Sequence, residues 1–257
     1  AIGPAVSNFV GPVAAGLLID HVGVWLGGTA GDDNGFRGAF VLLALLPWAT
    51  WLWVRHTREL PPVEPVAGAG HQQVWQLLRE PLMRRLLLVN WLLSSCWDVH
   101  TFVVPVLGHE RAFSASVIGA ILGGFAIAAA AVRVVMPLLA AHLKEWVVVT
   151  AAMLATALVF SIYPLMASPW SMGLCSVLLG LALGTVQPMI MSTLHQITPH
   201  HLHGQALGLR LMSINLSSVL MPMLFGTVGL VVGVSVVFWT VGAAVGMGSR
   251  LAWRLRL

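Results

Sequence analysis

The chain has 257 residues, of which 58% are hydrophobic and only 9% are charged. A soluble domain has roughly a quarter charged residues and fewer than half apolar ones, so this composition excludes both a soluble globular enzyme and a disordered chain. The net charge of +4 comes from 13 basic residues spread along the sequence, which excludes a basic patch for nucleic acid. The composition therefore indicates an integral membrane protein.

Eight apolar runs are long enough to cross the hydrocarbon core of a bilayer, which takes about 20 helical residues. In chain order they are 1–19, 36–54, 86–107, 115–140, 146–167, 170–193, 206–227 and 231–252. The runs lack the period-two polarity of a membrane β-barrel strand. The sequence thus predicts an all-α protein with eight transmembrane helices. The break between the last two helices, near 226–233, contains no charged residue.

The basic residues fall unequally on the two sides of these spans. Ten lie on alternate connections or at the C-terminus: Arg55, Arg58, Arg79, Arg84, Arg85, Lys144, Arg210, Arg250, Arg254 and Arg256. Arg37 and Arg111 lie on the other side. Because cytoplasmic loops are enriched in Lys and Arg, the C-terminus is predicted to be cytoplasmic and the first helix to run outward.

The longest connection, 56–85, contains a Pro61-Pro62 pair and is also predicted to be cytoplasmic. Its residues 72–80 are predicted to form a short surface helix before Pro81. We expect this connection to be a linker between two helical bundles.

The helix pair before the linker resembles the last pair of the chain. Serine, proline and glycine recur at the same spacing in both pairs: Ser7, Pro12 and Gly16, then Ser217, Pro222 and Gly226. Two parallel repeats of six helices would produce this pattern. Four further helices of the same protein are then expected upstream of Ala1, a start that has neither Met nor a basic segment before the first apolar run.

The predicted organisation follows from the repeat and the linker. Residues 1–55 are the last two helices of an N-terminal half, 56–85 are the linker, and 86–257 are a C-terminal half of six helices.

Small residues and one proline recur along the first helix: Gly3, Ser7, Gly11, Pro12, Ala15 and Gly16. Such a row lets a neighbouring helix approach closely, and the proline bends the helix because one backbone hydrogen bond is lost. Ordinary packing between helices would also account for the row. The row together with Gly11-Pro12 and the following Leu18-Ile19-Asp20 is a more specific pattern than small residues alone.

This combination resembles the signature of the fifth helix in major facilitator superfamily transporters, particularly drug:proton antiporters, although Ser7 and Ala15 replace two of its glycines. The resemblance implies a bundle of twelve helices, of which this chain contains helices five to twelve. It also implies a multi-pass protein of the cell inner membrane without a cofactor, in which the row of small residues is a hinge and a seal between the halves. The second-half counterpart of the family's loop signature, near 137–146, lacks the expected Gly and Asp.

Polar residues inside the predicted helices are the candidate functional residues, because a carboxylate at a helix centre costs roughly 2.5–3.5 kcal/mol to insert. Asp98 lies near the middle of the 86–107 run, and His100 follows it. A low-dielectric surrounding favours the neutral form of a carboxyl group, so Asp98 is a candidate proton carrier, or else the counter-charge of a cationic substrate. A structural hydrogen bond or ion pair inside the bundle would also explain both residues.

Three further polar residues fall within predicted spans. Arg133 must pair or reach towards water because its guanidinium cannot be discharged, so it is predicted to form a gate or structural ion pair, or to contact the substrate. Gln187, which precedes Pro188, and Asn215 are predicted either to line the transport path or to bridge helices.

Four histidines lie close together in the sequence: His195, His200, His201 and His203. They are predicted to be a solvated connector and not a metal site, because no cysteine or carboxylate is near them in the sequence. Cys96 and Cys175 lie in apolar runs and are predicted to pack there as small side chains.

The function predicted from these features is secondary active transport of a small organic molecule, coupled to protons and directed outward. Two alternatives stay open: a proton-coupled importer of small organic solutes, and a non-transporting membrane protein or inactive fragment. An intramembrane enzyme fits less well, since it would need several ionisable groups that converge from adjacent helices. The identity of the substrate is not encoded in any motif of this chain.

Overall fold

The structure is a computed structural model that describes residues 2–25, 29, 33–56, 71–139 and 143–256. Within these residues eight long helices and one short helix follow each other: α1 (Ile2–Trp25), α2 (Asp33–Val54), α3 (His71–Arg79), α4 (Pro81–Glu110), α5 (Ala115–Leu139), α6 (Glu145–Ile162), α7 (Pro169–Ile197), α8 (His203–Val232) and α9 (Val234–Trp253). Single turns of 3-10 helix, Tyr163–Leu165 and His200–Leu202, follow α6 and precede α8. This part of the chain contains no strand, so the predicted all-α fold is confirmed.

Among the residues described, seven helices have the length and hydropathy of a membrane span, namely α2 and α4 to α9. The predicted membrane-spanning bundle is thereby confirmed for seven of its eight helices. α1 covers residues 2–19 of the first predicted span and is not one of the seven.

The six helices α4 to α9 form one packed body around α4. α4 packs against α7, α8 and α9, while α5 packs on α7 and α6 packs on both α7 and α9. Leu86, Val89, Cys96 and Val99 of α4 are completely buried. Cys175 is buried as well and both cysteines are free, as the apolar runs predicted. α4 therefore contributes a large part of the core, although its residues Leu88, Phe102 and Val106 are exposed on one side.

Two helix boundaries differ from the predicted ones for reasons visible in the structure. α4 begins at Pro81 and not at residue 86, because proline suits the first turn of a helix, where no backbone N–H donor is needed. The linker is correspondingly shorter, and α3 occupies the place of the predicted surface helix. The last break falls at Gly233, whose φ of +89° belongs to the left-handed region that glycine adopts without strain. Residues 57–70 of the linker lie outside the described part.

Basic side chains collect at the end of the bundle where α4 and α6 begin and α9 ends, which we call the basic end. Arg85 Nη1 donates a hydrogen bond to the carbonyl oxygen of Arg254 (3.4 Å). The guanidinium carbon of Arg256 lies 5.0 Å from the centre of the Trp146 ring, which itself stands edge-on to Trp253 at 4.6 Å. Cation–π contacts of this kind anchor helix ends at a bilayer surface.

α1 packs against α5 through close backbone contact. A Cβ on Gly16 would collide with the carbonyl oxygen of Ala115, and a Cβ on Gly119 would lie 2.5 Å from the carbonyl oxygen of Pro12. Asp20 accepts hydrogen bonds from the backbone N–H groups of Ala115 (3.2 Å) and Ser116 (2.7 Å) at the start of α5. Asp20, which follows the first predicted span, thus caps the start of a neighbouring helix, and α1 itself continues to Trp25.

The predicted row of small residues lies mainly on another face of α1. With 3.6 residues per turn, Ser7, Gly11 and Ala15 point away from the face of Gly16 that meets α5. A Cβ on Gly11 would meet nothing within 4 Å. The surroundings of Gly3 fall outside the described side chains. The close approach predicted for the row is therefore made by Gly16 and Pro12 and not by Gly11.

Candidate functional site

A polar cavity of about 250 Å³ lies between α4, α5, α7 and α8. Its polar lining consists of Asn90, Ser94, Asp98, Arg133, Gln187 and Ser218. Its apolar lining includes Leu93, Leu183, Val186 and Ile214, together with the indole of Trp97. The α4 residues 90, 94, 97 and 98 share one face because they are spaced three, four and eight positions apart on the helix. Four helices thus bring polar groups to one place in a protein that is otherwise largely apolar.

Asp98 connects α4 to α8 at the wall of this cavity. Ser217 Oγ donates a hydrogen bond to Asp98 Oδ2 (2.6 Å), and Ser218 Oγ donates one to Asp98 Oδ1 (3.2 Å). Ser217 is completely buried, and its Oγ also lies 3.2 Å from Ser95 Oγ. Both oxygens of the carboxyl group are therefore occupied by hydroxyl groups of α8.

Arg133 enters the cavity from α5 with its charge uncompensated. Its guanidinium carbon lies 5.3 Å from the centre of the Trp97 ring, which is a cation–π distance. Its Nε is buried without a hydrogen-bond partner, and no carboxylate of the described residues forms an ion pair with it. The ion pair predicted for Arg133 is accordingly not formed with any described residue. Asp98, its neighbour in the cavity lining, bonds to α8 instead.

Asn90 is a member of the site that the sequence analysis missed. Its side chain is 1% exposed, lines the cavity, and has an amide nitrogen without a hydrogen-bond partner. Gln187, which the sequence did single out, contributes to the lining from α7. The signal for Asn90 was available, because it lies eight residues before Asp98 and hence on the same face of the helix.

His100 lies behind the cavity wall, since two residues along a helix turn a side chain away from Asp98. Its Nε2 lies 2.9 Å from Ser176 Oγ, and its ring stacks on Phe125 at 4.1 Å. Phe125 stands edge-on to Trp97 at 4.5 Å. His100 therefore supports the wall that carries Trp97 and is not itself part of the lining.

Asn215 does not line the cavity either, and it is exposed on α8. Its neighbours in the helix, Ile214 and Ser218, do contribute to the lining. A difference of one position rotates a side chain by 100°, which is enough to place Asn215 outside the cavity.

A second buried polar group joins α4, α7 and the turn after α6. Ser176 Oγ lies 2.9 Å from His100 Nε2 and 2.7 Å from the hydroxyl group of Tyr163, and all three side chains are completely buried. A serine hydrogen-bonded to a histidine can act as a nucleophile in an enzyme, but only where a substrate can reach it. Ser176 is completely buried and cannot be reached. His100 Nδ1 also lacks the orienting partner that such a site uses. The group is therefore a structural connection between helices.

The histidines at the junction of α7 and α8 come close together. The ring of His203 lies 4.8 Å from that of His195 and 5.0 Å from that of His200. His203 Nε2 also lies 2.8 Å from the carbonyl oxygen of Thr198. In the described part of the chain, no group of three or more His, Cys, Asp or Glu residues has the arrangement of a metal site.

Comparison with known proteins gives one family match. The family model described as Major Facilitator Superfamily matches residues 86–257, which include the six-helix body and all four walls of the cavity. No curated protein matches the sequence at a significant level.

Proposed function

The chain belongs to the Major Facilitator Superfamily, a family of membrane transporters, and we propose that it exports a small organic molecule in exchange for protons. Membership rests on the match over residues 86–257, two thirds of the chain. The observation that carries the proposal is Asp98. This carboxyl group lies within a membrane-spanning helix, lines a polar cavity, and is hydrogen-bonded to a second helix. Ionisable groups in that position are costly and mark ion or substrate paths.

The hydrogen bonds around Asp98 support a role in carrying a proton. Oxygen atoms follow each other from the carbonyl of Trp91 through Ser95 Oγ and Ser217 Oγ to Asp98 Oδ2, at distances of 2.8, 3.2 and 2.6 Å. Each of these three oxygen–oxygen contacts is a hydrogen bond only if one of its two atoms donates a proton. The hydroxyl groups of Ser95 and Ser217 supply two of the three protons. When Asp98 is protonated, its O–H donates to Ser217 and supplies the third. The arrangement therefore accommodates a proton on Asp98 at little cost.

Alternating access is the mechanism proposed for this transport. In this proposal, residues 1–55 belong to one half and 86–257 to the other, with further helices of the same protein completing the first half. The predicted linker 56–85 joins them, and its last five residues form the beginning of α4. The junction of α1 and α5 is then a contact between halves. Its glycines permit close approach of two backbones that rock against each other. Loss of the Asp98 proton leaves the contact between Ser95 and Ser217 without a donated proton, while Ser217 still donates to Asp98. This change in the hydrogen bonds between α4 and α8 favours one orientation over the other.

We place the protein in the cell inner membrane with the basic end in the cytoplasm. Arg85, Lys144 and Arg256 lie at this end. The bias of basic residues towards cytoplasmic loops supports this orientation.

Proton-coupled import of a small organic solute is the second candidate, and Arg133 favours it. Arg133 is a positive charge without a carboxylate partner among the described residues. Protonation of Asp98 removes a negative charge from the same cavity, so that an anion and a proton bind together more favourably than apart. A carrier that binds both together moves them in the same direction.

The experiment is proton flux in proteoliposomes with a pH-sensitive dye trapped inside. A panel of organic cations, anions and neutral molecules is added outside, and the interior pH is followed. We expect at least one compound to move protons, and Asp98→Asn to slow this movement by tenfold or more. Glu110→Gln is the matched control, since Glu110 is also a carboxylate of α4 but is exposed at the end of that helix and does not line the cavity.

The sign of the pH change distinguishes the two directions of coupling. Exchange of an entering compound for protons raises the interior pH, whereas joint entry lowers it. Proton movement at the wild-type rate in Asp98→Asn would contradict the role proposed for this residue.

A further inference from the structure

We propose that the substrate is a small organic anion with an apolar body, and that Arg133 and Asn90 bind its carboxylate group. This inference rests on the proposed function of the cavity as the substrate site, and it holds for either direction of transport. It follows from a comparison of the polar groups of the lining, namely which of them already have partners and which do not.

The carboxyl group of Asp98 already has hydrogen-bond partners in the protein. Each of its oxygens accepts a hydrogen bond, from Ser217 or from Ser218. Each oxygen can accept one more bond, but neither is left without a donor. The acceptors of the cavity therefore need a ligand less than any group that has no partner at all.

The hydrogen-bond donors of the cavity, in contrast, have no partners. The Nε of Arg133 is buried and unpaired, and so is the amide nitrogen of Asn90, whose side chain is 1% exposed. A buried donor without an acceptor carries a desolvation cost, and a ligand that supplies an acceptor recovers it. Two unpaired donors on the lining of one cavity fit a group with two acceptor oxygens.

Trp97 holds Arg133 without consuming its hydrogen-bonding capacity. The guanidinium group lies 5.3 Å from the centre of the indole ring, an arrangement in which the aromatic face attracts the charge. This contact uses the charge and not the N–H groups, which stay available to bond the two oxygens of a carboxylate. Trp97 is in turn fixed by Phe125, which stacks on the buried His100.

The remainder of the cavity sets the second requirement. Leu93, Leu183, Val186 and Ile214 contribute apolar surface to the lining. Such a wall offers an apolar surface to the hydrocarbon part of a ligand. A carboxylate with an aromatic or aliphatic body meets both requirements.

The test is equilibrium dialysis of three radiolabelled probes against the protein in nanodiscs, with empty nanodiscs subtracted. Benzoate, benzamide and benzylamine share one ring and differ in the charge of their polar group. We expect benzoate to bind about tenfold more tightly than benzamide, as a charge-assisted pair of hydrogen bonds implies, and benzylamine to bind most weakly. Equal or tighter binding of benzylamine, or no binding of benzoate, would overturn the proposal.

Variants separate recognition from a structural role. Arg133→Gln is expected to remove the tenfold preference for benzoate over benzamide, and Arg133→Lys to retain part of it, since a lysine keeps the charge but not the planar fork. Asn90→Ala is expected to weaken benzoate binding by about threefold. Arg250→Gln, on the exposed surface of α9, is the matched control and should bind benzoate as the wild type does.

Thermal stability without ligand provides the second measurement. If Arg133 serves the ligand, Arg133→Met removes an unpaired buried donor and should leave Tm unchanged or raise it. A marked fall in Tm would show that Arg133 is a structural element and would contradict its assignment. Binding is measured here without a pH gradient, so benzoate binding without proton flux would refute the transport proposal alone. Flux of benzylamine without benzoate binding would refute only the substrate class.

Discussion

Two helix junctions of this protein are built on different principles. The junction of α1 and α5 depends on missing side chains, since Gly16 and Gly119 let the two backbones touch. The junction of α4 and α8 depends on hydrogen bonds from serine hydroxyls to Asp98. The stability of the first junction therefore depends on side-chain volume, and that of the second depends on the protonation of Asp98. Within a bilayer, where apolar burial does not drive helices together, close packing and interhelical hydrogen bonds both hold pairs of helices.

The α1–α5 junction gives the largest expected effect. Gly16→Val and Gly119→Val place a side chain against a backbone carbonyl oxygen, which cannot move aside as a flexible side chain would. Overpacking at such a site costs about 3 kcal/mol. We expect each variant to lower Tm in detergent by several degrees.

Gly11→Val is the control for both variants. It adds the same volume to α1 where a Cβ meets nothing within 4 Å, and it should leave Tm unchanged. A loss of stability at Gly11 as large as that at Gly16 would mean that the row of Gly3, Ser7 and Gly11 is the packing face after all.

At the α4–α8 junction the expected effect is smaller. Asp98→Ala leaves the buried hydroxyl of Ser217 with one partner fewer, which costs about 2 kcal/mol. Asp98→Asn keeps a side chain of the same shape, which both bonds to Ser217 and Ser218, and should cost less than half as much. Denaturation midpoints of the three proteins, compared in one detergent, test this order. Equal loss in both variants would mean that the charge, and not the hydrogen bonds, stabilises the junction.

The α1–α5 junction also contains one ionisable group, Asp20, which bonds to the start of α5. Asp20→Ala removes the acceptor for the backbone N–H groups of Ala115 and Ser116, a capping interaction worth about 1 kcal/mol. Hydrogen exchange at these two amides should become faster, while exchange in the middle of α5 stays the same. Unchanged exchange at Ser116 would show that the cap is not formed in the membrane.

The smallest effect is expected from Ser218→Ala. The hydrogen bond from Ser218 to Asp98 is 3.2 Å long and partly exposed to water, so its loss should cost about 0.5 kcal/mol. Ser217→Ala removes the shorter and buried bond and should cost about twice as much. Chemical denaturation of both variants measures the difference, and the reverse order would contradict the assignment of Ser217 as the principal partner of Asp98.

The candidate site could be predicted only in part. Asp98, Arg133 and Gln187 were identified because a charge or an amide inside an apolar run is conspicuous, and all three line the same cavity. Asn90 was not predicted because it lies near the start of the apolar run 86–107, where polar residues are common. His100 and Asn215 carry the same signal as Asp98, yet both lie outside the lining. A polar residue in a span shows that a partner is needed, and it does not show on which side of the helix the partner lies.

The order of the membrane helices, and the location of seven of the eight predicted spans, were legible in the linear chain, because each depends on the hydropathy of about 20 neighbouring residues. The break at Gly233 was legible for a related reason, since glycine favours a local backbone conformation. The rotation of each helix about its axis depends on its neighbours. Packing decided that Gly16 and not Gly11 meets α5, and that Asp98 bonds to α8 and leaves Arg133 unpaired. Successive residues of a helix point 100° apart, so a small rotation of the helix brings different side chains into contact with its neighbours. The composition of the site therefore depends on packing between helices.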